Sequence, residues 1–149
     1  MPRISSFALW LCCAALTTGC GGGTPTPDWQ LPVEPAEGDL TVKGAAAEDV
    51  FISFHPMTKP NGDTNQTLPR AQTDSAGHFQ VTTYTTGDGA PVGKYRLSFS
   101  WQGPIGEMSH DDHEELPERL NRKYLKPETS GYEITITEGS NQLPLIELD

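Results

Sequence analysis

Beyond residue 20 the sequence has no cysteine. All three cysteines of the 149-residue chain, Cys12, Cys13 and Cys20, lie in its first 20 residues. This excludes a disulfide framework and thiol chemistry for the body of the protein. A thiol-free body also suits an oxidising compartment, where free cysteines are liabilities. Positive charge is scarce as well: ten Lys and Arg face twenty Asp and Glu, for a formal charge of −10. That balance speaks against nucleic acid, whose phosphates demand clustered cations. It also repels anionic headgroups, so charge alone does not hold the body on a membrane; its plain consequence is solubility. Long apolar runs are missing too. The longest, Ile4 to Leu16, falls short of the roughly 20 residues a spanning helix needs.

That apolar run has a different reading. Arg3 precedes it, Phe7, Leu9, Trp10 and Leu11 sit at its centre, and the small residues Thr17, Thr18 and Gly19 follow it. A positive start, a short apolar middle and small residues before a cut describe an export signal. The segment Leu16-Thr17-Thr18-Gly19-Cys20 resembles the lipobox of bacterial lipoproteins, with Leu one position further from the Cys than is usual. The resemblance implies removal of residues 1–19, lipidation of Cys20, and sorting by Gly21 to the outer membrane. One acyl chain holds weakly, and the two or three that the resemblance implies make a firm anchor. Residues 20–38 then read as a tether. Gly21-Gly22-Gly23 is flexible, and Pro25, Pro27, Pro32 and Pro35 keep the rest extended.

From residue 39 onward the dominant pattern has a period of two, the signature of half-buried strands. Tyr95, Leu97, Phe99 and Trp101 alternate with Lys94, Arg96, Ser98 and Ser100. Val50, Ile52 and Phe54 form a second such series, and Tyr132, Ile134 and Ile136 a third. Phe79 and Val81 mark a strand expected to run on through Thr82 to Thr85. Leu40 to Lys43 reads as a short first strand. Leu143 to Leu148 reads as the last, with Pro144 signalling an edge or a bulge. Turns separate these runs at Asp74-Ser75-Ala76-Gly77, Gly87 to Pro91 and Glu138 to Asn141. A short helix is expected over Pro117 to Lys123, with Pro at its first position. Leu116, Leu120 and Tyr124 would share one of its faces. Six or seven short strands in about 110 residues, with no repeat, indicate an all-β sandwich.

In order and spacing these pieces resemble the carboxypeptidase-regulatory-like, or transthyretin-like, domain of bacterial surface lipoproteins. The matching stretches are Val50 to Pro56, Thr73 to Phe79, Thr83 to Tyr95, Leu120 to Tyr124 and Asn141 to Leu145. The first turn, Gly44 to Asp49, lacks the usual proline form. The resemblance implies a seven-stranded antiparallel prealbumin-like (Ig-like) sandwich over residues 39–149, with the short helix in an inter-strand insertion. It implies an accessory, adhesive or stalk module and no reaction.

Chemical constellations are few. Zinc peptidase chemistry needs His-x-x-Glu with a further His, and none of His55, His78, His110 or His113 has Glu at the third position after it. The hydroxyisourate hydrolase relative of the fold ends in Tyr-Arg-Gly-Ser, whereas this sequence ends Leu145 to Asp149. No Gly-x-Ser-x-Gly elbow and no phosphate-cradling glycine loop occurs. The richest cluster is His110-Asp111-Asp112-His113-Glu114-Glu115. Its imidazoles and carboxylates suit zinc, copper or nickel, while charge runs are usually solvated loops. Asp88 between two glycines is too sparse for a calcium loop and reads as a turn residue. Asn65-Gln66-Thr67 matches a glycosylation sequon, read as idle in a bacterial protein. Trp101 reads as core.

The sequence therefore leads to a non-enzymatic envelope module without a cofactor, facing the periplasm or cell surface. Its expected partners are the membrane, through the Cys20 lipid, and an envelope protein or glycan. The alternative is a metal-binding protein using His110 and His113.

Overall fold

The computed structural model describes residues 27, 29–58, 68–102 and 118–149. The strands are β1 (Ala36–Val42), β2 (Ala45–Ala46), β3 (Phe51–Pro56), β4 (Arg70–Gln72), β5 (His78–Gln80) and β6 (Gly93–Ser100). A 3₁₀ turn at Arg122–Leu125 and one turn of helix, α1 (Pro127–Ser130), come next. Then β7 (Glu133–Ile136), β8 (Asn141–Gln142) and β9 (Ile146–Leu148) complete the fold. These strands form two sheets. In one, β1 is the hub, antiparallel to β2 and β5 and parallel to β8 and β9. In the other, the order is β4-β3-β6-β7, antiparallel throughout.

One apolar core lies between the two sheets. Leu40, Phe79, Ile146 and Leu148 supply it from the first sheet, and Ile52, Phe54, Leu97 and Phe99 from the second. Full burial of each such side chain contributes about 1.5–3 kcal/mol. The alternation read from the sequence holds for Val50, Ile52 and Phe54 and for Tyr95, Leu97 and Phe99, all buried. Ser98, expected on the solvent side, is buried as well, and its hydroxyl lies 2.9 Å from His55 Nε2. Trp101 is only partly buried against the core.

Several expectations need correction. The first strand begins at Ala36, before Leu40, because Glu37, Gly38 and Asp39 pair with Gln80, Phe79 and His78. Its last residue leads into a two-residue turn. Lys43 and Gly44 both have positive φ, 51° and 77°, the geometry that returns the chain as a tight hairpin. The strand at Phe79 does not run on to Thr85. Asp88 draws the backbone away, its carboxylate accepting from the N–H groups of Thr83, Tyr84 and Thr85 at 2.7–2.9 Å. The last strand is split into β8 and β9, because Pro144 has no N–H for the ladder. Both halves run parallel to β1, so the fold is not antiparallel throughout. Over Glu118 to Asn121, in the described part of the expected helix, the chain is not helical, and the helical turns come later, as the 3₁₀ turn and α1. Asn121 caps the turn through its side chain, and Pro127 starts α1. Together they cover the part of β6 that β7 leaves unpaired: Ser130 Oγ donates to Leu97 O at 2.5 Å.

The strands define two poles. The chain reaches the first sheet at Pro35, and this end is the proximal pole. β1 runs away from it to Val42, where the distal pole holds Lys43-Gly44, Trp101, the 3₁₀ turn and Asp149.

Candidate functional site

At the proximal pole the chain is fastened before the first strand begins. Glu34 and Ala90 exchange backbone hydrogen bonds at 2.9 and 3.0 Å. The N–H of Asn141 donates to Pro35 O at 2.8 Å, and that of Gly139 to Glu34 Oε2 at 3.0 Å. Leu31 N–H donates to Tyr84 Oη at 3.0 Å, and the Trp29 ring meets Tyr84 edge-on. Trp29 to Gly38, assigned by sequence to the tether, therefore lies on the domain or within it. The Asn141 side chain completes the fastening. Its Oδ1 accepts from Thr137 N, and its Nδ2 donates to Thr137 O and Gly139 O at 2.9 and 2.7 Å.

Cys20, His110 and His113, the residues singled out by sequence, lie outside the described residues, as does the Asn65 sequon. What is described is the stem from which residues 103–117 depart. Gln102 and Glu118 form an isolated bridge, so the segment leaves and returns at one point of the distal pole. The Glu118 carboxylate holds the stem, accepting from Ser100 Oγ, Trp101 N–H and Leu120 N–H, each at 2.9 Å. Arg119 stacks on Trp101, its guanidinium carbon 3.6 Å from the ring centroid, a cation–π contact. The indole N–H donates to Glu48 O at 2.8 Å. Trp101 is thus a brace for this stem as much as a core residue.

Beyond the stem, Leu120 and Tyr124 turn into the core. Arg122, Lys123, Leu125 and Lys126 are left outside. With Thr129 they surround a shallow concavity of ≈ 480 Å³. Thr129 Oγ1 donates to Lys123 O at 2.6 Å and fixes its floor. The Lys123 ammonium sits 4.6 Å above the Tyr124 ring and 3.4 Å from Asp149 Oδ2. Tyr124 first, then Asp149, hold its pKa above the ordinary lysine value, against the opposing pull of partial desolvation. Among the described residues no carboxylate lies within ion-pair distance of Arg122 or Lys126. Four cations, Arg119, Arg122, Lys123 and Lys126, thus stand within eight residues of a chain that carries ten in all.

A second concavity, ≈ 450 Å³, opens where the two sheets part, with Phe51, Arg70, Gln72, Asp74, His78 and Gln80 on its walls. Arg70 and Thr82 exchange backbone bonds at one end, and Asp74 N–H donates to His78 O at the other. Between them β4 and β5 belong to different sheets. His78 Nδ1 is 3.1 Å from Asp39 Oδ1, and its Nε2 is 3.8 Å from Glu37. These are exposed contacts of the kind worth little to stability.

The contact of His55 Nε2 with Ser98 Oγ has the distance of a nucleophile and its base. Acyl transfer needs in addition a group that orients the imidazole, and among the described residues no carboxylate bonds His55. Among the described residues, no group of three or more His, Cys, Asp or Glu is arranged to hold a metal ion. No described helix is long and apolar enough to cross a membrane. Comparison with family models, curated proteins and solved structures returns no match.

Proposed function

We propose that this protein is a lipid-anchored, non-catalytic module of the bacterial cell envelope, with a structural, adhesive or protein- or glycan-binding role. The observation that carries the reading is the Leu16 to Cys20 sequence, preceded by a short apolar run and followed by three glycines. The lipid on Cys20 would hold the N-terminus at a membrane, the outer membrane by the Gly21 rule. The domain would follow at the end of the glycine- and proline-rich stretch.

The finer fold reading belongs to the same proposal: a seven-stranded sandwich of the prealbumin-like, carboxypeptidase-regulatory-like kind. Two features support it. If β8 and β9 count as one strand interrupted at Pro144, and β2 as the hairpin return of β1, seven strands remain. In addition, Tyr95 Oη donates to Pro91 O at 2.7 Å, four residues upstream at the start of β6. A tyrosine bonding back across a corner in this way recurs in sandwiches with Greek-key connections.

The test is fractionation of the full chain with and without its acceptor thiol. Wild type is expected to sediment with membranes and to take up labelled palmitate. Cys20→Ser is expected to do neither. A Cys20→Ser chain that still sediments, with no palmitate in the wild type, overturns the anchor.

A further inference from the structure

We infer that the cationic face around Arg122, Lys126 and Thr129 binds an anionic polysaccharide. The inference rests on the envelope-module reading and names its partner class.

Three observations point to this face. The first is charge: twenty carboxylates outnumber ten cations in the chain, yet four of those cations gather in residues 119–126. Among the described residues Arg122 and Lys126 have no ion-pair partner, although Asp149 is near Lys123 and Glu128 lies on α1. In so acidic a protein, cations gathered in one place, without an ion-pair partner among the described residues, set up a local field opposite to that of the body. The second is shape. Arg122, Lys123 and Lys126 rim one concavity, which the Thr129 bond and the Asn121 cap hold in place, and Leu125 stands exposed at its edge. A guanidinium and an ammonium suit anionic groups spaced along a chain, and an apolar edge suits the C–H face of a sugar ring. The large aromatics that anchor protein partners are not offered here, because Tyr124 is buried.

The third is position. Val42 pairs with Leu148 at the distal end of β1, and Asp149 N–H donates to Tyr124 Oη at 3.1 Å beside the face. The chain enters at the other end of β1, where Pro35 and Glu34 are bound. Seven strand residues at about 3.3 Å each separate the two by about 20 Å. In a domain held at its proximal pole this face therefore lies at the end opposite the membrane attachment, where an extended polymer reaches it first. Polysaccharide, not the anchoring bilayer, is the occupant that fits.

The experiment uses the full chain purified in detergent, with polygalacturonate as the polyanion, dextran as the neutral glycan and phosphatidylglycerol vesicles as the lipid surface. Binding is read by calorimetry and co-sedimentation. Wild type is expected to bind polygalacturonate, more weakly as salt rises, and to ignore dextran. Arg122→Glu with Lys126→Glu is expected to weaken binding by about tenfold or more, and Lys94→Glu, on β6 away from the face, to leave it unchanged. Arg122→Gln with Lys126→Gln, which removes charge without reversing it, is expected to fall between, and circular dichroism verifies that each variant is folded. No binding, equal binding by the double variants, equal binding to dextran, or binding confined to the vesicles overturns the inference. The anchor is read separately by Cys20→Ser fractionation, so either proposal fails without the other.

Discussion

The two poles of this domain differ in the charged side chains they leave to solvent. At the proximal pole, carboxylates and an amide turn inward onto the backbone. Asp88 collects three N–H groups, Glu34 takes one from Gly139, and Asn141 bonds both sides of its own turn. At the distal pole Glu118 gathers Ser100, Trp101 and Leu120 and Asn121 caps the 3₁₀ turn, but a group of cations stands beside them. Of these, Arg119 stacks on Trp101 and Lys123 lies over Tyr124, while Arg122 and Lys126 are exposed to solvent. Polar groups spent on backbone fix a shape, while those left to solvent are available to a partner. The proximal pole is built to bear the attachment of the chain, and the distal pole to present a surface.

Substitutions at the two poles should differ accordingly. The largest effect is expected from Gly89→Ala. Gly89 has a φ of +98°, and a Cβ there would stand 1.8 Å from Glu34 O, on backbone that cannot swing aside. With left-handed strain added, a loss of about 3 kcal/mol or more is expected, read as a lower midpoint in urea unfolding. A wild-type midpoint would mean that the Glu34–Ala90 contact does not fasten the chain. Next comes Asp88→Ala, which strands three N–H groups and is expected to cost about 2–3 kcal/mol. Retention of wild-type stability would remove Asp88 from that role.

Glu118→Ala breaks the same number of bonds at the other pole and sharpens the contrast. Its partners, Ser100, Trp101 and Leu120, all lie about the end of β6, so a smaller global loss is expected, about 1–2 kcal/mol. Faster hydrogen exchange should be confined to Trp101, Arg119 and Leu120. An unfolding midpoint lowered as far as in Asp88→Ala would erase the distinction between the poles.

The smallest effect concerns pH. Burial first, with Tyr124 and Asp149 adding, raises the pKa of Tyr132 above its ordinary 10.0. The Tyr132 hydroxyl donates to Glu147 O, a bond only the protonated form makes. A group whose pKa is higher folded than unfolded contributes stability that is complete below its unfolded pKa and lost as pH rises through the folded one. Stability should therefore fall above about pH 10, the ordinary phenol value, and fall less steeply in Tyr132→Phe. Equal slopes for the two proteins would show that Tyr132 does not carry the alkaline loss.

Much of the fold is legible in the sequence because strand alternation is local. Tyr95, Leu97 and Phe99 announce their face without reference to anything distant, and Pro144 announces the break between β8 and β9. Three features are less local. Asp88 reads as a turn residue, but its capture of Thr83 to Thr85 depends on a loop geometry that a run of threonines, favourable to strand, conceals. The parallel pairing of β9 with β1 joins residues about a hundred apart, and a strand's own pattern does not say which way its neighbour runs. The pairing of Gln102 with Glu118 likewise has no marker in the residues between. At the candidate site the obstacle was averaging. A net charge of −10 describes the chain as a whole, and it hid the run from Arg119 to Lys126. Spacing cations by one to three residues on a tight turn, with Leu120 and Tyr124 facing inward, is the signal that reveals it.

The claim on which the two-pole arrangement depends is that the chain hangs from Cys20. Intact-mass spectrometry of the mature protein extracted from bacterial membranes addresses it without a variant. Anchoring predicts a chain that starts at Cys20 and carries the added mass of its acyl groups. A mature chain that retains Met1, or that begins elsewhere with no acyl mass, would contradict it.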